Sequence, residues 1–148
     1  MIILDTNVIS EVTKSDSSPP VLAWLDRQAE DALYLTTVTI AEISAGVHKL
    51  EAGRRRDDLG RRLTDTVELF SDRLFPFDLG AALLYGEVLD FARRRGRAIG
   101  FQDGLIAAIA VHRKAAIATR DASPFEAAGV EVINPWHANA ETSAIESR

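Results

Sequence analysis

Short apolar segments alternate with helical segments along this chain, and this alternation constrains its fold more than any other feature. Segments with apolar residues at helical spacing predict helices over residues 8–13, 19–28, 40–51, 55–70, 81–95, 105–111 and 124–128. The apolar segments of strand length are predicted as strands over residues 2–4, 33–36, 74–77, 115–119 and 130–133. Strands that alternate with helices form a parallel sheet covered by helices, so the sequence predicts an α/β fold.

The length of 148 residues suits one domain with a full hydrophobic core. That domain is predicted over residues 1–137, and the polar residues 138–148 are expected to form a disordered tail. No apolar stretch is long enough to cross a bilayer, and the N-terminus lacks the pattern of a secretory signal. With no cysteine in the chain, a soluble cytoplasmic protein is expected.

Four acidic residues lie where the predicted topology brings the chain to one edge of the sheet. In a parallel α/β sheet, strands end and the following helices begin at the same edge, where ligands bind. Asp5 follows the first strand, and Glu42 lies in the first turn of the helix after the second. Asp103 begins the helix that leads into the strand over 115–119, and Asp121 lies just beyond that strand. The topology therefore gathers four carboxylates that are far apart in sequence.

Each acidic residue taken singly also has a structural interpretation. Asp5 and Asp103 could cap their helices, and Asp121 could be a turn residue. Glu42 fits the third position of a capping box that begins at Thr39.

Taken together, four carboxylates at one edge repel one another and need an opposite charge. No lysine stands at the matching strand ends, although Arg120 neighbours Asp121. A hard divalent cation such as magnesium, held by oxygen ligands, meets this need. Such a cation activates water and stabilises charge on a phosphoryl oxygen, which favours phosphodiester hydrolysis.

The net charge of −5 argues at first against a nucleic-acid partner. Without the four candidate ligands it becomes −5 + 4 = −1, and arginines are clustered along the chain. These clusters are interpreted either as solvated helix faces or as part of an RNA-binding surface. They lie at residues 54–56, 61–62, 93–97 and 113–114.

The chain also resembles PIN-domain proteins of the VapC toxin type, in particular the FitB-like branch. The resemblance is carried by ordered motifs that together span residues 2 to 136. They are Ile3-Leu4-Asp5-Thr6-Asn7-Val8-Ile9-Ser10-Glu11, Thr39-Ile40-Ala41-Glu42, Asp103-Gly104-Leu105-Ile106-Ala107-Ala108, Ala118-Thr119-Arg120-Asp121 and Val132-Ile133-Asn134-Pro135-Trp136.

The resemblance implies a three-layer α/β/α fold with a short central parallel sheet. It also implies a magnesium-dependent endoribonuclease, with manganese as a substitute, that is the toxin of a toxin–antitoxin pair. Asp5 and Asp103 would be the principal magnesium ligands, and Glu42 and Asp121 would complete the acidic cluster. Thr6 and Thr119 would hydrogen-bond ligands or the attacking water.

The partners that the resemblance implies are an RNA substrate, a small antitoxin and a second copy of the chain. The antitoxin's C-terminal segment would cover the acidic edge, and an inserted arginine would suit that role. Apolar anchors for the antitoxin are proposed among the first helices and the helix over 40–51. The candidates are Val12, Trp24, Leu25, Val47 and Leu50, which could instead fill the core.

The chain departs from the family at the fourth acid. Many relatives have Thr-Arg-Asn followed by a later Asp before Phe, where this chain has Thr119-Arg120-Asp121 and then Pro124-Phe125. The position of the fourth acid is therefore left open.

Three other functions are considered. A phosphatase of the HAD type needs an acid two residues after the first, where this chain has Asn7. A metal-free ribonuclease needs paired histidines, whereas His48 and His112 lie in or at the ends of predicted helices and His137 borders the tail. The main alternative is a catalytically inactive PIN-like module that binds RNA or protein.

Overall fold

A computed structural model describes residues 1–138 of the chain. The predicted disordered tail therefore lies outside the described residues, apart from Ala138. The strands are β1 (Ile2–Leu4), β2 (Leu33–Thr36), β3 (Leu74–Phe75), β4 (Ala116–Ala118) and β5 (Val132–Ile133). The helices are α1 (Thr6–Val12), α2 (Pro19–Asp26), α3 (Thr37–His48), α4 (Arg54–Leu69), α5 (Leu79–Arg94), α6 (Phe101–Arg113) and α7 (Ser123–Ala127). A short 3-10 turn over Glu30–Ala32, which was not predicted, precedes β2.

The strands form one parallel sheet in the order β3-β2-β1-β4-β5. Because successive strand residues point to opposite faces, each strand contributes to two cores. Ile3 and Ile117 pack on one face with apolar side chains of α5, α6 and α7. Leu4 and Leu35 pack on the other face with side chains of α1, α2 and α3. The predicted α/β fold with helices on both faces is confirmed.

The apolar stretch of the predicted helix over 105–111 is the buried centre of α6, where residues 106–110 are almost fully inaccessible to solvent. The helix itself begins at Phe101, two residues before Asp103, where its start was predicted. Phe101 and Gln102 are exposed, so the apolar periodicity of the buried residues does not extend to the start of the helix. Within residues 1–138, no helix is both long and apolar enough to span a membrane.

Helix α3 also begins earlier than predicted. Thr36 is its N-cap, because the Thr36 hydroxyl accepts a hydrogen bond from the Thr39 backbone N–H at 3.0 Å. The capping box from Thr39 to Glu42 was therefore a wrong interpretation. Glu42 lies in the second helical turn, which leaves its carboxylate available for other contacts.

Candidate active site at the carboxyl edge of the sheet

Asp5 is placed by the junction between β1 and α1. Its backbone N–H donates to the Ala118 carbonyl at 3.0 Å, so the pairing of β1 with β4 fixes its position. The carboxylate caps α1 by accepting from the Thr6 N–H at Oδ1, at 2.8 Å. Its Oδ2 accepts from the Thr119 hydroxyl, also at 2.8 Å. Only 8% of Asp5 is exposed. The same carboxylate therefore caps α1 with one oxygen and bonds to Thr119 with the other.

Thr119 is the centre of a hydrogen-bond network at the end of β4. While its hydroxyl donates to Asp5, it accepts from Asn7 Nδ2 at 3.0 Å and from the Asp121 backbone N–H at 3.1 Å. Asn7 Oδ1 also accepts from the Arg120 N–H at 3.2 Å. Thr119 is fully buried, so its role in the structure is to orient Asp5 and the chain before Asp121.

Glu42 reaches the same region from α3. Its Oε2 accepts a hydrogen bond from the Thr6 hydroxyl at 2.9 Å. Thr6 therefore contacts two acids, since its backbone N–H donates to Asp5. This contact between α1 and α3 replaces the capping contact that was one interpretation of Glu42.

Asp103 lies in the first turn of α6, the helix that runs back along the sheet. The N-cap of α6 is Gly100, which makes no side-chain capping bond, so the alternative interpretation of Asp103 as a helix cap is wrong. An acid in the first turn still interacts favourably with the helix dipole. Its side chain is only partly exposed.

Electrostatic coupling shows that all four acids share one region. Burial raises the pKa of Asp5 above its ordinary value, despite the hydrogen bonds from Thr119 and Thr6, and the charge of Asp121 raises it further. Burial also raises the pKa of Glu42, and the charges of Asp5 and Asp103 add to this effect. The pKa of Asp103 is raised first by burial and then by Asp5 and Asp121. Each carboxylate thus makes it harder for its neighbours to ionise.

None of the ion pairs described within residues 1–138 offsets this repulsion. The ion pairs within 4 Å that the structure describes all involve acids elsewhere in the chain. Arg120, considered from sequence as a partner for Asp121, instead places its guanidinium 4.0 Å from the centre of the Trp136 ring. The exposed Asp121 side chain stands just past the end of β4.

The donor set fits a hard divalent cation. Among residues 1–138, no three acidic or histidine side chains stand close enough to hold a metal ion as they are. A magnesium ion needs only one or two carboxylates from the protein, because it takes its remaining ligands from water and substrate oxygens. The spacing of the four acids is therefore compatible with a magnesium site. Asp5 and Glu42 keep free lone pairs beyond their hydrogen bonds, which a cation can use.

An apolar groove between α1, α3 and α4 leads away from the acids. Thr6 and Glu42 line both the groove and the acidic region. Its apolar wall is formed by Ile9, Ile43, Val47, Leu59 and Leu63. Of the apolar anchors considered from sequence, Val47 lines this groove, whereas Val12, Trp24 and Leu25 pack in the core beside α2. Leu50 is half-buried.

The structure thus brings together all four predicted acids and both predicted threonines. Sequence reasoning missed Asn7, which links the start of α1 to the end of β4. The motif Asp5-Thr6-Asn7 contained the signal, since an amide directly after a strand can bond to a neighbouring strand end.

Comparison with known proteins identifies the family to which the chain belongs. The PIN domain family matches residues 2–130. The chain belongs to the PIN domain family. The predicted resemblance and fold are therefore confirmed.

Two curated relatives and one solved structure extend the match over most of this PIN domain protein. The VapC ribonuclease Y4jK of Sinorhizobium fredii is 46% identical over 92% of this chain and 98% of its own length. The toxin FitB of Neisseria gonorrhoeae is 41% identical over 93% of this chain and 99% of its own. The crystal structure of FitAcB from Neisseria gonorrhoeae has a TM-score of 0.86 at 41% identity, covering 93% of this chain and 99% of that one.

Proposed function

We propose that this PIN domain protein is a magnesium-dependent endoribonuclease that acts in the cytoplasm as the toxin of a toxin–antitoxin pair. The observation that carries the proposal is the network in which Thr6 bonds to both Asp5 and Glu42 and Thr119 bonds to Asp5, beside which the charges of Asp103 and Asp121 act on the same acids. The family supports it, because relatives of similar length are named a VapC ribonuclease and the toxin FitB.

Asp5 and Asp103 are proposed as the principal magnesium ligands, with Glu42 and Asp121 completing the acidic set. Manganese should replace magnesium, since both prefer oxygen ligands. When bound, the metal would make water a stronger nucleophile and stabilise negative charge on the phosphoryl oxygens.

The protein's own groups would orient the reaction. Thr6 and Thr119 hold the two oxygens of Asp5, which fixes the direction of its remaining lone pairs. Glu42 has one oxygen on the Thr6 hydroxyl, and burial raises its pKa, so its other oxygen suits a proton acceptor. A water would attack phosphorus and lose its proton to Glu42, while the bond from phosphorus to the leaving ribose oxygen breaks and that oxygen takes a proton from solvent water.

An assay of RNA cleavage by the purified protein tests the proposed ribonuclease activity. Asp5→Asn and Asp103→Asn should each abolish cleavage and stay folded, because each removes a charge from the site and keeps the side-chain shape. EDTA should inhibit the native protein, and magnesium or manganese should restore it. Asp90→Asn is the matched control, because Asp90 pairs with Arg93 and Arg94 on the exposed face of α5.

Undiminished cleavage in EDTA would contradict the metal mechanism. RNA binding without cleavage, unchanged by Asp5→Asn, would instead support the inactive binding module.

The groove between α1, α3 and α4 is proposed as the docking site of the antitoxin. Its apolar wall suits an amphipathic helix, and it opens onto Glu42 and Thr6. A basic segment following that helix would reach the carboxylates, where an arginine could pair with them in place of the metal. Expression of the chain alone should slow growth, and Asp5→Asn should relieve this effect, as should co-expression of a small protein encoded immediately upstream of the chain's gene. If the chain cleaves RNA but its expression does not slow growth, and no protein encoded beside it binds it, the toxin role is overturned. The ribonuclease function would still stand.

The homodimer stays a prediction. Helix α5 leaves Leu79 and Leu83, one helical turn apart, 74% and 72% exposed, a feature that a second copy could cover. Light scattering of the purified protein would measure its mass in solution.

A further inference from the structure

Two exposed arginines lie next to Asp121, which is itself exposed beyond the end of β4. Arg120 directly precedes Asp121 in the chain, and its backbone N–H donates to Asn7 Oδ1 at 3.2 Å. Arg97 reaches the same segment from the loop between α5 and α6, because its Nη2 donates to the hydroxyl and the carbonyl of Ser123. Ser123 follows Asp121 by two residues, so their Cα atoms are at most about 7 Å apart. Both arginines therefore stand beside the acidic edge.

The loop that carries Arg97 also borders Asp103. This loop ends at Gly100, where a Cβ atom would lie 4.0 Å from Asp103 Oδ2. The start of the loop is fixed as well, because the Arg97 N–H donates to the Ala92 carbonyl of α5 at 2.9 Å. Arg97 therefore belongs to a segment that runs beside Asp103, and its side chain reaches the segment after Asp121.

The charges of the two arginines are not used in close ion pairs. Within residues 1–138, neither takes part in an ion pair of 4 Å or less. The bonds described for the Arg97 guanidinium go to neutral oxygens from Nη2, which leaves the donors on Nε and Nη1 for another partner. The Arg120 guanidinium lies over the Trp136 ring at 4.0 Å, and a guanidinium stacked on a ring keeps its N–H edge for hydrogen bonds. The pKa of Glu11 is lowered first by the bond from Lys14 and only last by the charge of Arg120.

The two arginines lie toward opposite faces of the sheet. Trp136, which lies under Arg120, packs against the core on the face of α1 and α2. Helix α7, whose first residue bonds to Arg97, buries Phe125 in the core on the face of α5 and α6. Asp121 lies in the chain between these two contacts. A polymer with regularly spaced negative charges can therefore contact both arginines while it passes the acids.

We propose that Arg97 and Arg120 each bind a phosphate of the RNA backbone, one on either side of the cleaved phosphodiester. This inference rests on the proposed ribonuclease function. The four carboxylates repel the backbone, so cations beside them are needed to hold the neighbouring phosphates. A guanidinium suits a phosphate because its planar fork donates two parallel N–H bonds. The substrate class is therefore RNA with charged linkages on both sides of the cut. Both arginines contact the substrate away from the reacting atoms.

The test measures how RNA affinity depends on salt, in Asp5→Asn protein with magnesium so that the RNA stays intact. Arg97→Gln and Arg120→Gln should each make the slope of log binding constant against log salt shallower by about 0.7, the value for one phosphate of a single strand. Arg120→Lys should keep the native slope, because it keeps the charge. The matched control is Lys114→Gln, which removes an exposed charge at the opposite end of α6 from Asp103 and should also keep the native slope.

Uncharged linkages separate a phosphate contact from a general effect of charge. An RNA with methylphosphonates at the two linkages next to the cleaved one should bind with a slope shallower by about 1.4, the value for two phosphates. Protein that carries both Arg97→Gln and Arg120→Gln should bind this RNA and the unmodified RNA with equal slopes. In protein with native Asp5, each glutamine substitution should raise KM about 2- to 5-fold, the factor for one exposed charge pair, with a much smaller change in kcat.

Ser123→Ala tests whether Arg97 acts only through the structure. It removes the hydroxyl that Arg97 contacts and keeps the arginine charge, so the native slope is expected. A slope as shallow as that of Arg97→Gln would overturn the RNA contact and assign Arg97 to holding α7. Equal melting temperatures will show that the variants fold.

A native salt slope in either glutamine variant, with cleavage intact in the native protein, would overturn this inference and leave the proposed function standing. If the native protein does not cleave RNA with magnesium, the proposed function fails. The salt slopes then still decide whether the two arginines bind the RNA backbone.

Discussion

Thr119→Val isolates the hydrogen bonds that hold Asp5, because valine keeps the shape of threonine and lacks its hydroxyl. The substitution removes one donor to a buried carboxylate and two bonds that the hydroxyl accepts, from Asn7 and the Asp121 N–H. A hydrogen bond to a charged group contributes about 1.5–3 kcal/mol. Asn7 is half-buried and Asp121 is exposed, so water can partly replace the other two bonds. The expected loss of unfolding free energy near neutral pH is about 2–4 kcal/mol.

The loss should depend on pH, and the sign follows from Asp5. Burial raises the pKa of Asp5 above its ordinary 3.8, so its ionisation destabilises the native state as pH rises through the folded pKa. The Thr119 hydrogen bond lowers this pKa, so removing it raises the pKa further. The variant should therefore lose more stability at neutral pH than at a pH low enough to protonate Asp5. There we expect a loss of about 1–2 kcal/mol.

Urea unfolding without metal, at neutral pH and at the lowest pH at which both proteins stay folded, measures both losses. Thr39→Val is the matched control, because Thr39 is also fully buried and the hydrogen bond described for its hydroxyl, at 2.9 Å, joins it to Thr36 and not to an acid. It should lose about 0.5–1.5 kcal/mol at either pH. Equal losses for Thr119→Val at the two pH values would refute the assigned role of its hydroxyl.

The remaining predictions concern metal and antitoxin. Without metal, Asp103→Asn should melt higher than the native protein, because it relieves repulsion from Asp5 and Asp121 and removes no capping bond. Magnesium should raise the melting temperature of Asp103→Asn less than that of the native protein, because an ion that binds the native state stabilises it by mass action. Equal rises in melting temperature, measured by calorimetry, would contradict a shared site. Leu63→Glu places a charge in the apolar groove and should prevent co-purification of the antitoxin while cleavage persists, whereas intact co-purification would exclude the groove as its docking site.

The order of strands and helices could be read from the sequence because it depends on local patterns. Apolar segments such as residues 33–36 have strand length, and the predicted bounds of β2 match the structure. Asp78 before α5 is a cap in the structure, with its carboxylate accepting from the Ala81 N–H at 3.0 Å. The family motifs follow the same order, and the family is confirmed over residues 2–130.

Helix starts were less accurate because different interactions compete for the same residues. Thr36 and Thr39 are both good caps, and the sequence does not show which one bonds to the backbone. The choice matters for function, because Glu42 is free to meet Thr6 only when the helix begins at Thr37.

The α/β fold, the likeness to the PIN family and the expectation that four acids meet at one edge of the sheet could all be obtained from the sequence. How those acids are held depends on the tertiary structure. The bond from Thr119 to Asp5 joins residues 114 positions apart, and it exists because β1 pairs with β4 in one register. The edge-to-face contact between Tyr85 of α5 and Phe101 of α6 likewise depends on how these two helices pack together. Such contacts are set by packing between distant segments, whereas periodicity reports only which face of each segment is apolar.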